Sequence, residues 1–479
     1  MMLALASIAR AQPAPRPAPA DVPAIFLSDI HLDPYHDPSK IARLNTASAS
    51  EWAAILGAPD TAARGGDAAK LQITCPVRGT DTTDTLWESS LQALHAQAAA
   101  IHPKFVTISG DLLAHSFDCK FHTLLPNASH EQYAAFTEKT VRYILTSLKA
   151  AIPNTPIYLA RVNHDSACKD YQLSPAHDEF LGLTAKIAAE VLPEGDRPAV
   201  LSTFAESGSY SAPLAGVPET RIIVLDDVFL SNSYAHCGGA KDPAPAQAQI
   251  VWLDAQLADA RAHNQRVWVM GHIPPSIDLY NTARHLVDVC GGGRPIMFLS
   301  AGALADTLAK NSDIVRLALF GHTHSDEIEL VAAQSNDPAV SPSAPGVPVK
   351  VTASISPVNG NRPSFTVARI DPKTATLRDF TVYKASNATG IAATWTKEYT
   401  YSSAYHEPAF DGASVSSLIT GFQSDPRAET DASKAYLKNF YPGDTPSPLV
   451  LVWPEYACSM NHQTAQSFAG CVCKRNTQP

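Results

Sequence analysis

The sequence predicts an α/β fold: two packed, mixed β-sheets flanked by helices, followed by a small, mainly helical C-terminal appendage. Three observations carry this expectation. Short apolar runs alternate with helix-period segments over the first two thirds of the chain, the β-α-β-α-β order of parallel strands joined by right-handed crossovers. Four β-like stretches follow at residues 327–331, 349–353, 365–370 and 377–384, separated by Pro, Asn and Gly, and a hairpin-rich second sheet packed on the first would account for them. Beyond about Ile391 the pattern turns aromatic and helix-like, with Tyr399, Tyr401, Tyr405 and Tyr441.

Taken in order, residues 1–11 are apolar and close on Ala9-Arg10-Ala11, the cleavage pattern of a secretory signal, although the stretch is short for a complete one. Residues 12–22 form a Pro/Ala-rich spacer stiffened by Pro13, Pro15, Pro17 and Pro19. The first buried strand is 24–28, and alternation points Asp29 and His31 just beyond it the same way. Residues 44–78 lack a clean period and read as an insertion over the strand ends. Trp87, Leu91, Leu94, Ala98 and Ile101 then recur at helical spacing behind Asp84, a candidate N-cap. That helix leads to strand 105–109, Gly110-Asp111 and, four residues on, His115.

A second helix, about 131–150, precedes a short strand at 157–160 and the run Val162-Asn163-His164. The strand 221–225 ends in Asp226-Asp227, a pair that reads as turn or helix caps rather than ligands. Strand 267–270 gives way to Gly271-His272-Ile273-Pro274-Pro275, whose prolines fix an extended exit behind the histidine. The apolar run 317–320 stops at Gly321-His322-Thr323-His324, where a glycine lets the backbone turn tightly enough for imidazoles to converge. The main α/β unit is thus expected over 23–390 and the cysteine-bearing appendage over 391–479.

A chain of 479 residues that is 45% apolar buries a sizeable core. Its formal charge of -10 argues against a nucleic-acid polymer as partner, which needs a basic stripe. A small phosphorylated molecule is compatible with that charge, because bound cations invert the local field. No apolar run reaches about eighteen residues, so no transmembrane helix is expected. The 8 cysteines include no C-x-x-C pair, which together with the leader favours disulfides and a secreted or periplasmic protein.

Collected, the strand-end residues Asp29, His31, Asp111, Asn163, His272, His322 and His324 offer two carboxylates, one amide and four imidazoles. Mixed N/O donors without thiolate suit two divalent cations, zinc first and iron or manganese next. Such a pair clamps the attacking and leaving oxygens of a phosphoryl transfer and lowers the pKa of bound water.

The ordered blocks Asp29-x-His31, Gly110-Asp111, Asn163-His164, Gly271-His272 and Gly321-His322-x-His324 resemble those of the calcineurin-like metallophosphoesterase superfamily. Residues 110–115, 271–275, Ser354-Ile355-Ser356-Pro357, Asn361-Arg362-Pro363-Ser364-Phe365 and the tail near Cys458 are similar to its acid sphingomyelinase-like phosphodiesterases. The resemblance implies an αββα sandwich with residues 23–390 as catalytic domain. It also implies that Asp29, His31 and His324 hold one metal, that Asn163, His272 and His322 hold the other, and that Asp111 bridges them. His164 and His115 fall where the family places histidines that contact the phosphate or protonate the leaving oxygen. The implied reaction is hydrolysis of a small phosphodiester or phosphoanhydride by in-line attack of metal-bound hydroxide, on nucleotides, phospholipid head groups or sphingomyelin-like substrates. A phosphomonoesterase is the alternative within the same chemistry.

One position departs from the pattern. The residue before the metal-binding asparagine is usually glycine, and here it is Val162. A β-branched residue resists positive φ, so Val162 is expected either to strain the backbone or to displace Asn163 and weaken the second metal. A non-catalytic binding protein is the further alternative that this position supports.

Overall fold

The computed structural model describes residues 20–174, 179–300, 302–333, 346–443 and 447–475. The leader at 1–11 and the spacer as far as residue 19 lie outside the described residues. Strands β1 (Val22–Leu27), β2 (Phe105–Ile108) and β3 (Ile157–Leu159) pair in parallel at one side of a six-stranded sheet. β1 is also its bridge to an antiparallel half. In the second sheet β4 (Tyr210–Pro213) lies antiparallel to β5 (Thr220–Val224), which continues in parallel to β6 (Arg266–Met270) and β7 (Val315–Phe320).

Both sheets are mixed and helices flank them, as expected, but the later strands do not build a sheet of their own. β8 (Glu327–Val331) and β9 (Val347–Val351) complete the second sheet in the order β4-β5-β6-β7-β9-β8. β10 (Ser364–Ile370), β11 (Leu377–Ala385) and β12 (Trp395–Thr400) complete the first as β12-β11-β10-β1-β2-β3. Alternation and turn residues specify that a stretch is a strand; they do not specify which open sheet edge it covers. β12 also carries the sheet past Ile391, so the helical portion begins at Tyr401.

The two sheets meet through large apolar side chains. Trp268 on β6 stands edge-on to Phe26 on β1 and Phe105 on β2, with ring centroids 6.0 and 5.8 Å apart. Its indole N–H, which burial would otherwise leave unpaired, donates to the Ala375 carbonyl at 2.8 Å. The helix Asp84–Ile101 has the expected span, but its N-cap is Thr83, whose hydroxyl accepts from Leu86 N–H at 3.2 Å. Asp84 occupies the first turn, where a carboxylate favours the helix dipole.

Residues 44–78 are a set of short helices rather than a loose insertion. Trp52 in Trp52–Leu56 is fully buried against Phe136 at 5.1 Å. Helices of five or six residues complete too few turns to display a period, and the longer Arg64–Thr74 buries only Leu71, which is why the sequence hid them. All 8 cysteines pair: Cys75–Cys119, Cys168–Cys237, Cys290–Cys473 and Cys458–Cys471. The third ties the C-terminal helix Ala465–Arg475 to the loop following the helix Leu279–Arg284. The C-terminal helices pack Phe422, Tyr436, Trp453 and Tyr456 together, and the Tyr436 hydroxyl meets Ile328 N–H on β8 at 3.3 Å. No described helix is long and apolar enough to cross a membrane.

Candidate metal centre

Parallel pairing brings the carboxyl ends of β1, β2 and β3 to one side, and the same rule applied to β6 and β7 sets their exits opposite. The exits are then laced together. Asp29 N–H donates to the Gly110 carbonyl at 2.9 Å, His31 N–H to Asp111 at 2.9 Å and Gly321 N–H to His272 at 2.8 Å. His322 N–H reaches both carboxylate oxygens of Asp29 at 3.1 Å. A Cβ on Gly321 would stand 1.9 Å from the Ser28 hydroxyl, so only glycine lets these two strand ends approach.

Asp29, His31, Asp111, His322 and His324 all hold left-handed backbone, at φ 48, 44, 54, 73 and 62°. Each such residue costs about 1–3 kcal/mol. The core that fixes the strand ends over-determines the geometry at these five residues, each of which is expected to bind a cation.

Two donor groups result. Asp29, His31 and His324 bring one ligand atom each within 4.8 Å of one another, and so do Asp111, His272 and His322. Asp111 stands between them, with Oδ2 3.4 Å from His31 Nε2 and 3.1 Å from His272 Nε2. Carbonyls fix the rings from behind: Leu113 takes His31 Nδ1 and Ser109 takes His272 Nδ1, both at 2.8 Å. That back-bonding leaves Nε2 of each ring facing the centre, the usual arrangement for a ligating histidine. Asn163 donates Nδ2–H to Asp170 at 3.0 Å, while its Oδ1, His31 Nε2 and His324 Nδ1 are buried without a hydrogen-bond partner. Buried polar atoms left unpaired in this way fit cation ligands.

The electrostatics agree. Burial would lower both His31 and His272, yet Asp111 and Asp29 push them up, to about 9 and about 10. His322 and His324 go down, to about 4 and about 3, through burial and neighbouring imidazoles. Two buried carboxylates thus recruit protons onto two histidines, and the positive charge they demand is what divalent cations would supply.

His115 and His164 also face the centre, each within 4.8 Å of His31 and of one another through a ring nitrogen. His115 stacks on His31 with centroids 4.2 Å apart and hydrogen-bonds Asp81 through Nδ1 at 2.8 Å. His164 is more enclosed, with Nε2 4.0 Å from Asp111 and Nδ1 3.5 Å from Asp170. Asp226 and Asp227 stay out of the donor groups. Asp227 accepts from His272 N–H and Ile273 N–H at 2.8 and 2.9 Å, and Asp226 pairs with Arg161 at 2.7 Å; Asp226 precedes the turn Asp227–Leu230 without a side-chain cap hydrogen bond, so the pair braces neighbouring segments rather than capping its own.

Asp81, Asp165 and Asp170 escaped sequence reasoning. Asp165 accepts from Leu112 N–H and Leu113 N–H at 2.8 and 3.2 Å and so shapes the turn after Asp111. It and Asp170 lie close behind Asn163-His164, a proximity that was legible; Asp81 lies 34 residues before its partner His115 and carried no local signal.

The expectation of a strained backbone at Val162 is overturned. Among the described residues, non-glycine positive φ occurs at a set of positions that does not include Val162. It is Gly110, at φ 100°, that takes the unusual conformation, and a Cβ there would lie 2.4 Å from Val162 Cγ1. Val162 is fully buried and fills the space over that glycine. We therefore expect Val162→Gly to leave metal titration curves superimposable on wild type and to destabilise the fold by about 2 kcal/mol or more, through the lost side chain and added chain entropy. A shifted metal titration in the variant would restore the strained reading.

A cavity of about 720 Å³ opens beside His322, lined also by Tyr171, Phe298, Tyr280, Tyr441 and Arg78. Its size suits a small organic phosphate.

A family model described as calcineurin-like phosphoesterase matches residues 22–326. Sphingomyelinase phosphodiesterase C of Dictyostelium discoideum is 27% identical over 40% of this chain, a match that spans only 38% of that protein. Acid sphingomyelinase-like phosphodiesterase 3b of Mus musculus is 23% identical over 93% of this chain and 89% of its own length. The cyclic GMP-AMP phosphodiesterase SMPDL3A of Mus musculus is 24% identical, with 63% of each protein covered. Among solved structures, a dimetal phosphatase from Danio rerio aligns with TM-score 0.41 and 12% identity over 79% of this chain and 99% of its own.

Proposed function

The chain belongs to the calcineurin-like phosphoesterase family, in its acid sphingomyelinase-like branch, and from that premise we propose that it hydrolyses phosphodiester or phosphoanhydride bonds of small substrates, nucleotides and phospholipid head groups among them. It is a metal-dependent hydrolase, and the donor set fits two divalent cations. Zinc is our first assignment, from imidazole and carboxylate donors without thiolate. The carrying observation is Asp111, whose one carboxylate faces His31 and His272 at 3.4 and 3.1 Å between two flanking donor groups.

In this proposal Asp29, His31 and His324 hold one cation, Asn163, His272 and His322 the other, and Asp111 both. Such a pair would neutralise charge on the phosphoryl oxygens and lower the pKa of water held there. The remaining steps belong to side chains. Burial, followed by the neighbouring imidazoles His115 and His31, drives His164 well below the ordinary histidine range, so it sits neutral and can donate one N–H to a phosphoryl oxygen. His115 is the better proton donor: Asp81 holds Nδ1 and leaves Nε2 to carry a proton to the departing oxygen. Four disulfides support a secreted or periplasmic location.

The test combines metal content with two substrates. Purified protein should carry about two divalent ions per chain and turn over bis(p-nitrophenyl) phosphate faster than p-nitrophenyl phosphate. In oxygen-18 water, the phosphate-bearing product of a single turnover should gain one solvent oxygen. A faster monoester would make the protein a phosphomonoesterase, and a product without solvent oxygen would rule out direct attack.

A further inference from the structure

The cavity beside His322 has a feature that phosphoryl transfer does not use. Glu327 and Glu329 on β8 point to the same face, as residues two apart on a strand do, and both line the cavity. Both are buried, 6% and 5% exposed. Glu327 is satisfied, because the Tyr456 hydroxyl donates to it. Glu329 is only half satisfied: Ser276 hydrogen-bonds its carboxyl, but its Oε2 is buried with no hydrogen-bond partner. Among the described residues no lysine or arginine forms an ion pair with Glu329. Burial and the adjacent Glu327 push its carboxyl up to about 8, as befits an acid without a counter-charge. Also in the lining, Arg78 lies over the exposed Tyr280 ring at 5.4 Å, and Phe298 stands edge-on to His322 at 5.4 Å.

An unpaired acceptor at the wall of an open cavity contiguous with the metal centre costs about 1–3 kcal/mol until a donor reaches it. A ligand that brings the donor recovers that cost, and a ligand of the same shape without one does not. We propose that Glu329 reads an N–H donor on the organic group of the substrate, so that the enzyme favours esters bearing a primary ammonium or an amino-edged ring over esters, such as those of choline, that have no N–H. This rests on the phosphoesterase reading above. The shared chemistry is the N–H donor; the two sources differ in charge and in flatness.

Affinity for product-like ligands tests the idea without turnover. Metal-loaded protein is titrated calorimetrically with phosphoethanolamine, phosphocholine, guanosine 5′-monophosphate and ribose 5-phosphate. Phosphoethanolamine should bind about 10-fold or more tighter than phosphocholine if the ammonium is the source. The nucleotide should exceed ribose 5-phosphate by a similar factor if the ring is. In Glu329→Met, which keeps the volume and removes the acceptor, the preferred ratio should collapse to about one. Glu329→Gln, which keeps the shape and cannot ionise against an ammonium, should at least lose the ammonium preference and serves if the Met variant does not fold. Equal binding within both wild-type pairs, tighter phosphocholine, or a variant that weakens every ligand alike would each overturn the proposal. Hydrolysis of bis(p-nitrophenyl) phosphate by wild type is scored separately: its absence refutes the phosphoesterase reading, while the binding ratios still decide the role of Glu329.

Discussion

Asp111→Asn should lower the retention of both cations together and cut phosphodiester turnover by about 10³-fold or more. The argument runs through charge and position. Asp111 is almost fully buried, and its Oδ2 lies 3.4 Å from His31 and 3.1 Å from His272, members of the two different donor groups. Burial alone would favour the protonated acid, but His272, His164 and His31 hold it well below the usual carboxylate range, so it is an anion in the fold. Asparagine keeps the shape and one oxygen while losing the charge that two cations would share. Lewis-acid stabilisation is worth several kcal/mol, and each about 1.4 kcal/mol is tenfold in rate, which gives the magnitude. The measurement is metal content by plasma emission alongside kcat for bis(p-nitrophenyl) phosphate. A variant that keeps one cation at wild-type affinity would mean that Asp111 serves only one group. Near-normal content of both would remove it from the bridge.

Why this centre was visible in the sequence follows from how it is built. Each expected ligand sits within a few residues of an apolar run's end, and parallel strands bring such ends to one side whatever the order of the strands. Asp29, Asp111, Asn163, His272 and His322 could therefore be grouped without knowing the sheets. The sheets themselves were less legible. That β10 lies beside β1 while β9 lies beside β7 depends on which edge remains open after the parallel halves have formed, a tertiary matter that no local pattern encodes. The same limit explains Val162. From the sequence it stood where a glycine is usual, but the unusual backbone falls across the space at Gly110, and the valine packs over it. The supporting acids divide in the same way: Asp165 is adjacent to its motif, whereas Asp81 meets His115 across 34 residues, where Thr82 pairs through its backbone with His31 and Asp33.

The second large effect is expected at His115, and it separates the role of His115 from that of His164. His115→Ala should slow esters with basic, alkoxide-type leaving groups by about 10²–10⁴-fold, the usual worth of a general acid, while p-nitrophenyl esters lose far less because p-nitrophenolate departs without a proton. His164→Ala should instead slow both classes by a similar factor, since a neutral imidazole that donates to a phosphoryl oxygen acts on the group common to all substrates. The distinction rests on partners. Asp81 is fully buried, accepts the His115 ring at 2.8 Å and His115 N–H at 2.8 Å, and also meets the Ser356 hydroxyl at 3.2 Å. Against burial, His115 and His31 keep it an anion far below the ordinary carboxylate range, so it orients the ring. His164 faces Asp170 at the looser distance of 3.5 Å, across a carboxylate already bonded to Asn163 at 3.0 Å. Metal content should remain near normal in both variants. The deciding plot is log kcat against leaving-group pKa. A steeper negative slope in His115→Ala than in wild type or His164→Ala places the proton on His115, and Asp81→Asn should reproduce part of that steepening by releasing the ring. If the steep slope appears in His164→Ala instead, the acid is His164, and the Asp81–His115 pair only braces the loop beside the centre.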